Sequence, residues 1–167
     1  MISHFQIEEN TKAGFELKKD ATQFIVIEAK MRSRLSHRTV KIDYWDQVSR
    51  NVACMAEAIA KKNLSAKQLK HAAFYVTAPE VQIDKHKFKK LLSKDTITGK
   101  VKRRAAEYGS ESTRASGNWY QKYFLPLMEQ IEIAAVSWES IIELIIDLDP
   151  VNGEQISSFY DHCLKFN

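Results

Sequence analysis

The chain has 167 residues, of which 44% are hydrophobic and 28% charged, and its formal net charge is +4. This composition is close to the average of folded proteins, so it excludes disordered, collagen-like and low-complexity chains. The length predicts one domain over residues 1–167 that folds without a disulfide or metal staple. The longest apolar runs are far shorter than the roughly 20 residues of a membrane helix. No secretory signal is visible, and the widely separated Cys54 and Cys163 favour packed thiols in a reducing cytoplasm.

The first third of the chain predicts strands followed by a long helix. Short strands are expected at 4–8 and 15–17, and the clearest strand covers 24–31 (Phe-Ile-Val-Ile-Glu-Ala-Lys-Met). That strand is β-branched and apolar without alternation, which is typical of a central strand covered on both faces. A basic connection, 32–41, leads to a helix over 43–62. Helical spacing of its apolar residues indicates one buried stripe of Val48, Val52, Met55 and Ile59.

The remainder of the chain continues to alternate between strands and helices. The pattern predicts a strand at 72–78, charged helices at 84–108 with a break near 95–99, a Ser/Gly-rich loop at 109–117 and a strand at 131–136. Ser137 is a good N-cap for a helix over 138–148. A last helix is expected over about 154–165. Together these elements predict a mixed α/β domain.

Glu28 and Lys30 are the first candidates for chemistry. Residues at i and i+2 of a strand point to the same face, so both charges project together from an apolar strand. A buried charge is costly unless it is paired or binds a ligand. The two side chains could simply neutralise each other. Alternatively, the carboxylate holds a divalent metal ion while the ammonium positions a water nucleophile.

A magnesium site takes one or two protein carboxylates, so a second acidic residue is sought on a neighbouring strand. Glu16 is the first choice, because its strand is expected to pair antiparallel with 24–31 through a polar turn. Asp20 lies in that turn and ranks second, and Glu8 and Glu9 are further candidates. Glu16 could equally be an ordinary strand residue that faces solvent.

The long helix carries a polar face beside its apolar stripe. Gln47, Arg50, Asn51 and Cys54 follow i, i+3, i+4, i+7 spacing and therefore share one side of the helix. Gln47 and Asn51 could hydrogen-bond a water or a phosphate, and Arg50 could contact a phosphate bidentately. A partly solvated helix flank is the simpler alternative.

This order of features resembles the PD-(D/E)xK nuclease superfamily, which has the restriction-endonuclease-like fold. The matching residues are Glu28-Ala29-Lys30 at the end of a strand, followed by a helix that contains Asp46-Gln47 and Arg50-Asn51. The order of elements agrees with the family core up to about residue 78. The chain departs from the family at its first acidic motif, where the usual Pro-Asp is absent.

The resemblance implies a mixed central sheet of about five strands flanked by helices, and metal-dependent hydrolysis of phosphodiester bonds in DNA or, less often, RNA. Carried over by position, Glu28 would be a ligand of Mg²⁺ or Mn²⁺, with Glu16 as the other ligand. Lys30 would orient or activate the attacking water, and Gln47 would be an auxiliary active-site residue.

Basic side chains form two clusters that suit a phosphate backbone. One occupies the 32–41 connection, and the other is a run over 84–104 with nine basic and two acidic residues. The candidates for nucleic-acid contacts are Arg32, Arg34, Arg38, Arg50, Lys87, Lys90, Arg103 and Arg104. A solvated helix face is the alternative for the second cluster. Bases could stack on Tyr108, Trp119, Tyr120 or Tyr123, although such aromatic residues are more often in a core.

The modest net charge conceals an uneven distribution. Residues 1–128 carry a net charge of +11 and residues 129–167 a net charge of −7, which places a nucleic-acid partner on the N-terminal side. The first hypothesis is a magnesium-dependent nuclease that acts on DNA, as a monomer or a homodimer. The alternatives are a catalytically inactive nucleic-acid-binding or assembly module on the same fold, and a protein-interaction domain whose Glu28–Lys30 pair is structural.

Overall fold

The strand His71–Ala78 (β4) is the centre of a three-stranded sheet. The computed structural model of the chain describes residues 5–7, 15–36, 38, 39, 41–85, 88–107 and 117–166. β4 pairs in parallel with Gln23–Ala29 (β3) on one side and with Glu132–Ser137 (β5) on the other. Phe5–Ile7 (β1) and Phe15–Leu17 (β2) form a separate antiparallel ribbon. The predicted α/β class is therefore confirmed.

The expected five-stranded sheet is not formed by the described strands. They divide into a ribbon of two and a sheet of three, and β2 pairs with β1 rather than with β3. The prediction that β3 is central is also wrong, because Ile25 and Ile27 are 48% and 60% exposed. β4 takes that place: its small and apolar residues are buried on both faces, as the middle strand of a parallel sheet requires.

Helices make up most of the rest of the described chain. They are Gln47–Lys61 (α1), Glu80–Lys85 (α2), Phe88–Leu91 (α3), Lys94–Glu107 (α4), Gly117–Trp119 (α5), Leu125–Gln130 (α6), Trp138–Leu148 (α7) and Pro150–Phe166 (α8). A π-helical turn, Tyr120–Phe124, joins α5 to α6, and a 3-10 turn, Ala66–Gln68, precedes β4. None of the helices within the described ranges has both the length and the apolar character needed to cross a membrane.

Helix α1 packs its predicted apolar stripe into the core. All four stripe residues are at most 2% exposed and belong to one cluster with Phe74 and Val76 of β4. The helix begins at Gln47 rather than at residue 43, because the Asp46 carboxylate accepts a hydrogen bond of 2.7 Å from the Ser49 amide. Asp46 is fully buried and also pairs with Lys100 of α4. One carboxylate thus caps α1 and joins it to α4.

The predicted helix break at 95–99 is wrong, because these residues lie within α4. The interruption comes earlier, at Leu92 and Ser93 between α3 and α4. Ile97 and Val101 are four residues apart and almost fully buried, so tertiary packing outweighs the low helix propensity of Gly99. The predicted loop lies outside the described residues except for Gly117, which begins α5.

The C-terminal helices follow the sequence prediction closely. The Ser137 hydroxyl accepts a hydrogen bond of 3.1 Å from the Ser140 amide, so the predicted cap of α7 is confirmed. Helix α8 begins at Pro150, earlier than predicted, because proline suits the first position of a helix. The two helices approach closely at the buried Gly153, where a Cβ would lie 2.5 Å from the Ile146 Cα.

Glu139 links three helices near the start of α7. Its Oε1 accepts a hydrogen bond of 2.7 Å from the Tyr160 hydroxyl of α8, and its Oε2 accepts one of 3.0 Å from the Glu80 amide of α2. Burial, followed by this contact with Glu139, raises the pKa of Tyr160 above its ordinary value. The folded protein therefore favours the neutral phenol at this position.

Asp46→Ala should lower the free energy of unfolding by about 3 kcal/mol, because it removes a helix cap and leaves the Lys100 ammonium without its partner. Asp46→Asn keeps a capping oxygen but loses the charge, so its effect should be smaller. Asp43→Ala is the matched control. The Asp43 side chain is 93% exposed and lies 3.9 Å from Arg38, so its loss should cost about 0.5 kcal/mol or less. Urea unfolding measures all three, and equal effects at both positions would contradict the role of Asp46.

Tyr160→Phe should be less stable than the wild type at neutral pH by roughly 1–2 kcal/mol, because a hydrogen bond to a charged group is lost. A raised folded pKa gives stability that is complete below the unfolded pKa of about 10 and is lost as the pH rises through the folded value. The difference between the two proteins should therefore narrow above about pH 10. Urea unfolding at neutral and alkaline pH tests this, and a difference that is constant with pH would refute it.

Candidate active site and nucleic-acid interface

Glu28 and Lys30 lie side by side at the carboxyl end of β3. The Lys30 Nζ is 2.9 Å from the Glu28 Oε1, and the two side chains are 12% and 23% exposed, respectively. Their common face agrees with the i, i+2 spacing of a strand. The pair neutralises both charges and still leaves each group in contact with solvent, so a ligand can reach them.

Asn51 of α1 completes the cluster. Its Nδ2 donates a hydrogen bond of 3.2 Å to the Glu28 Oε2. Lys30 and Asn51 together use two of roughly four lone-pair positions on the carboxylate. Glu28 therefore fits one ligand position of a magnesium ion, which takes one or two protein carboxylates and keeps several waters.

The structure does not bring Glu16 to Glu28. The Glu16 carboxylate pairs with Lys62, at the carboxyl end of α1. Lys62 comes eleven residues after Asn51, the helix residue that contacts Glu28, and eleven residues span about 16 Å along the helix axis. Glu16 lies away from Glu28 because β2 pairs with β1 instead of β3. The metal role of Glu16 stays a prediction.

Of the other predicted ligands, only Asp20 lies within the described residues. Asp20 lies in an exposed turn after β2, and Glu8 and Glu9 lie outside the described residues. Across the part of the chain that the structure describes, no group of three or more His, Cys, Asp or Glu side chains could hold a metal ion. Glu28 is the predicted ligand that the structure places in this cluster, and water and the phosphate of a substrate would supply further ligands of a metal ion.

Gln47 and its neighbours on α1 do not all face β3. The side-chain Oε1 of Gln47 accepts a hydrogen bond of 3.4 Å from the Ser36 backbone amide. The backbone amide of Gln47 donates a hydrogen bond of 2.9 Å to the Ser36 carbonyl. These bonds hold the 32–41 connection against the start of α1, and an active-site role of Gln47 stays a prediction. Asn51 faces β3, whereas Arg50 and Cys54 line a cavity beside α4. Cys54, expected to be a packed thiol, is exposed.

Side chains from later in the sequence fix the backbone at the end of β3. The Lys30 amide donates to the Thr77 carbonyl at 2.7 Å, and the Trp138 indole donates to the Lys30 carbonyl at 2.8 Å. The Gln82 side-chain amide donates to the Met31 carbonyl. Sequence reasoning missed Trp138 and Gln82. The feature that could have predicted them is the parallel order of the strands. Parallel strands end at the same edge of a sheet, so the residues that follow β4 and β5 come close to Lys30.

Three of the basic candidates lie on the connection after β3. The Arg32 guanidinium donates to the Leu164 carbonyl of α8 at 2.6 Å. Arg34 is exposed, and Arg38 is also exposed and lies 3.9 Å from Asp43. The connection is therefore a basic surface next to the Glu28 cluster, with one arginine anchored to α8.

Among the other described candidates, Arg50 lies on α1, whereas Lys90, Arg103 and Arg104 lie on the helices that follow β4. Lys90 is exposed on α3, and Lys87 lies outside the described residues. On α4, Arg103 and Arg104 pair with Glu107 at 3.4 Å and 3.0 Å. These side chains are spread over α3 and α4, and their contacts with nucleic acid stay predictions.

The aromatic candidates for base stacking have different surroundings. Tyr108 lies outside the described residues. Trp119 and Tyr120 both stack on Phe124, with centroid distances of 5.8 Å and 5.3 Å. Tyr123 donates its hydroxyl to a side-chain oxygen at the end of α1. Trp119 differs from the others because it also lines the cavity between α1 and α4.

Comparisons of the chain with protein-family models, with curated proteins and with solved structures find no match.

Proposed function

We propose that the chain is a magnesium- or manganese-dependent nuclease that hydrolyses phosphodiester bonds in DNA. The observation that carries this proposal is the cluster of Glu28, Lys30 and Asn51 at the carboxyl end of a parallel strand. Ligands of α/β proteins bind preferentially outside this end of the sheet. The basic connection that begins at Arg32 is next to the cluster and supplies positive charge for a phosphate backbone.

The three side chains have distinct roles in this proposal. Lys30 gives one of its three N–H groups to Glu28, so two remain for the attacking water and a phosphate oxygen. Glu28 would hold the cation through its remaining lone pairs, and Asn51 fixes the orientation of that carboxylate. A bound Mg²⁺ would neutralise charge that develops on the phosphate.

A DNA-binding module that does not cleave is the second candidate. It is favoured by the position of Glu16, which pairs with Lys62 at the far end of α1 from Asn51. A cluster with one carboxylate binds a metal ion more weakly than a cluster with two. Under this proposal the basic surfaces bind DNA with a steep salt dependence and no strand is cut.

A DNA-cleavage assay of the wild type and of Lys30→Met separates the two candidate functions. If the nuclease proposal is right, the wild type cuts labelled DNA only with Mg²⁺ or Mn²⁺, and Lys30→Met lowers the rate by about 100-fold because a charged donor to the reacting phosphate is lost. Lys67→Met, at an exposed lysine of the 3-10 turn, is the matched control and should keep full activity.

Each outcome of the cleavage assay supports one candidate function or contradicts the role of Lys30. Salt-dependent binding without cleavage under any divalent ion would establish the binding module. Equal cleavage by Lys30→Met and Lys67→Met would remove Lys30 from the mechanism. Circular dichroism of each variant checks that the fold is intact.

Trp138→Phe tests whether the hydrogen bond from the Trp138 indole to the Lys30 carbonyl positions Lys30. Phenylalanine keeps an aromatic ring but cannot donate to the Lys30 carbonyl. We expect kcat to fall about tenfold with little change in KM, because a small displacement of a catalytic group slows the chemical step more than binding. A change in KM alone, with kcat preserved, would contradict a positioning role.

A further inference from the structure

A cavity of about 320 Å³ lies between α1 and α4. Arg50 and Lys61 of α1 line one side, and Arg104 of α4 lines the other. Trp45, which precedes α1, and Trp119 of α5 complete the lining. Successive residues of a helix are about 100° apart around its axis, so Arg50 faces this cavity while the adjacent Asn51 faces Glu28.

The lining combines two kinds of chemistry. Among the described lining residues, Arg50, Lys61 and Arg104 are cations and Glu57 is a carboxylate. Arg104 also pairs with Glu107, so Arg50 and Lys61 give the lining its excess of positive charge. Two indole rings supply flat apolar surfaces. Arginine and lysine bind phosphate, and tryptophan stacks on nucleobases. A ligand with both an aromatic ring and a negative charge satisfies the whole lining, whereas a bare phosphate or an apolar molecule satisfies half of it.

The size of the cavity restricts the ligand further. A volume of about 320 Å³ is at the small end of ligand sites in proteins. It accommodates one base with part of its sugar but not a base pair within a duplex. We propose that this cavity binds one unpaired base and the adjacent phosphate of single-stranded DNA. The inference rests on the proposed function and names its substrate class as unpaired or frayed DNA.

The cavity and the Glu28 cluster are close enough to hold one strand. Arg50 and Asn51 are consecutive at the start of α1, and a helix with its side chains is about 10–12 Å across. A strand that places a base in the cavity can therefore cross the first turns of α1 toward Lys30. The base in the cavity then fixes which phosphate lies beside the cluster.

The test compares two double variants that remove equal charge. Arg50→Gln with Lys61→Gln changes exposed side chains of the cavity, whereas Lys67→Gln with Lys70→Gln changes exposed lysines outside the cavity and outside both basic clusters. The probe is a labelled oligothymidylate of about 12 nucleotides, and binding is measured by anisotropy in a chelator so that no cleavage occurs. The cavity variant should bind about tenfold more weakly than the control variant. Its slope of log affinity against log salt should be shallower by about 0.7, as expected for the loss of one phosphate contact with a single strand.

Tryptophan fluorescence gives a second measurement. The oligothymidylate should quench wild-type fluorescence through stacking on the cavity indoles. Trp119→Phe should bind with reduced quenching, and circular dichroism checks its fold. Equal affinity for a blunt duplex of the same length, or equal weakening by both double variants, would overturn the assignment.

These outcomes are separate from those of the cleavage experiment. If the cavity variant binds more weakly but no DNA is ever cut, the nuclease proposal fails and the cavity proposal stands. If cleavage depends on Lys30 while the two double variants bind alike, the cavity proposal fails and the nuclease proposal stands.

Discussion

A single buried carboxylate sets the position of both proposed sites. Asp46 accepts from the Ser49 amide and pairs with Lys100, so it fixes where α1 begins and how α4 lies against it. The rotation of α1 about its axis, which the cap and the buried apolar stripe fix together, determines the direction of each of its side chains, because each residue advances by about 100°. Asn51 consequently faces Glu28, and Arg50 faces the cavity. A rotation of α1 by one residue would turn both side chains away from these positions, so the contacts that hold α1 constrain both proposed sites.

The parallel order of the sheet supplies the second constraint. β3, β4 and β5 run in one direction, so their carboxyl ends meet at one edge. Near the end of β4, the Thr77 carbonyl accepts a hydrogen bond from the Lys30 amide. Trp138 follows β5 directly, so its indole can reach the Lys30 carbonyl although the two residues are 108 positions apart in the sequence. The backbone that carries the candidate catalytic lysine is therefore held by two other strands' ends. A rigid element below a functional side chain keeps that side chain at the required geometry.

Local patterns predicted those features that depend on neighbours in sequence. The pairing of Glu28 with Lys30, the stripe of α1 and the capped helix after Ser137 all arise within a few residues, and the structure contains each of them. The partners of whole strands depend on contacts between distant segments. Adjacency in sequence predicts that β2 pairs antiparallel with β3, but β2 pairs with β1, and Glu16 consequently lies beside Lys62 and not beside Glu28. The contact of Trp138 was missed for the same reason.

The Lys30–Glu28 pair couples the binding of an anion to that of a cation at the proposed site. In the free protein the ammonium and the carboxylate satisfy each other at 2.9 Å. A phosphate that attracts the Lys30 ammonium leaves the Glu28 carboxylate with fewer donors and makes it a better cation ligand. A cation on Glu28 likewise releases the ammonium for a phosphate. Because such a coupling free energy is reciprocal, each ligand tightens the binding of the other. In the proposed nuclease, the cluster would therefore favour the joint binding of metal and phosphodiester, which is the combination that hydrolysis requires, over the binding of either ligand alone.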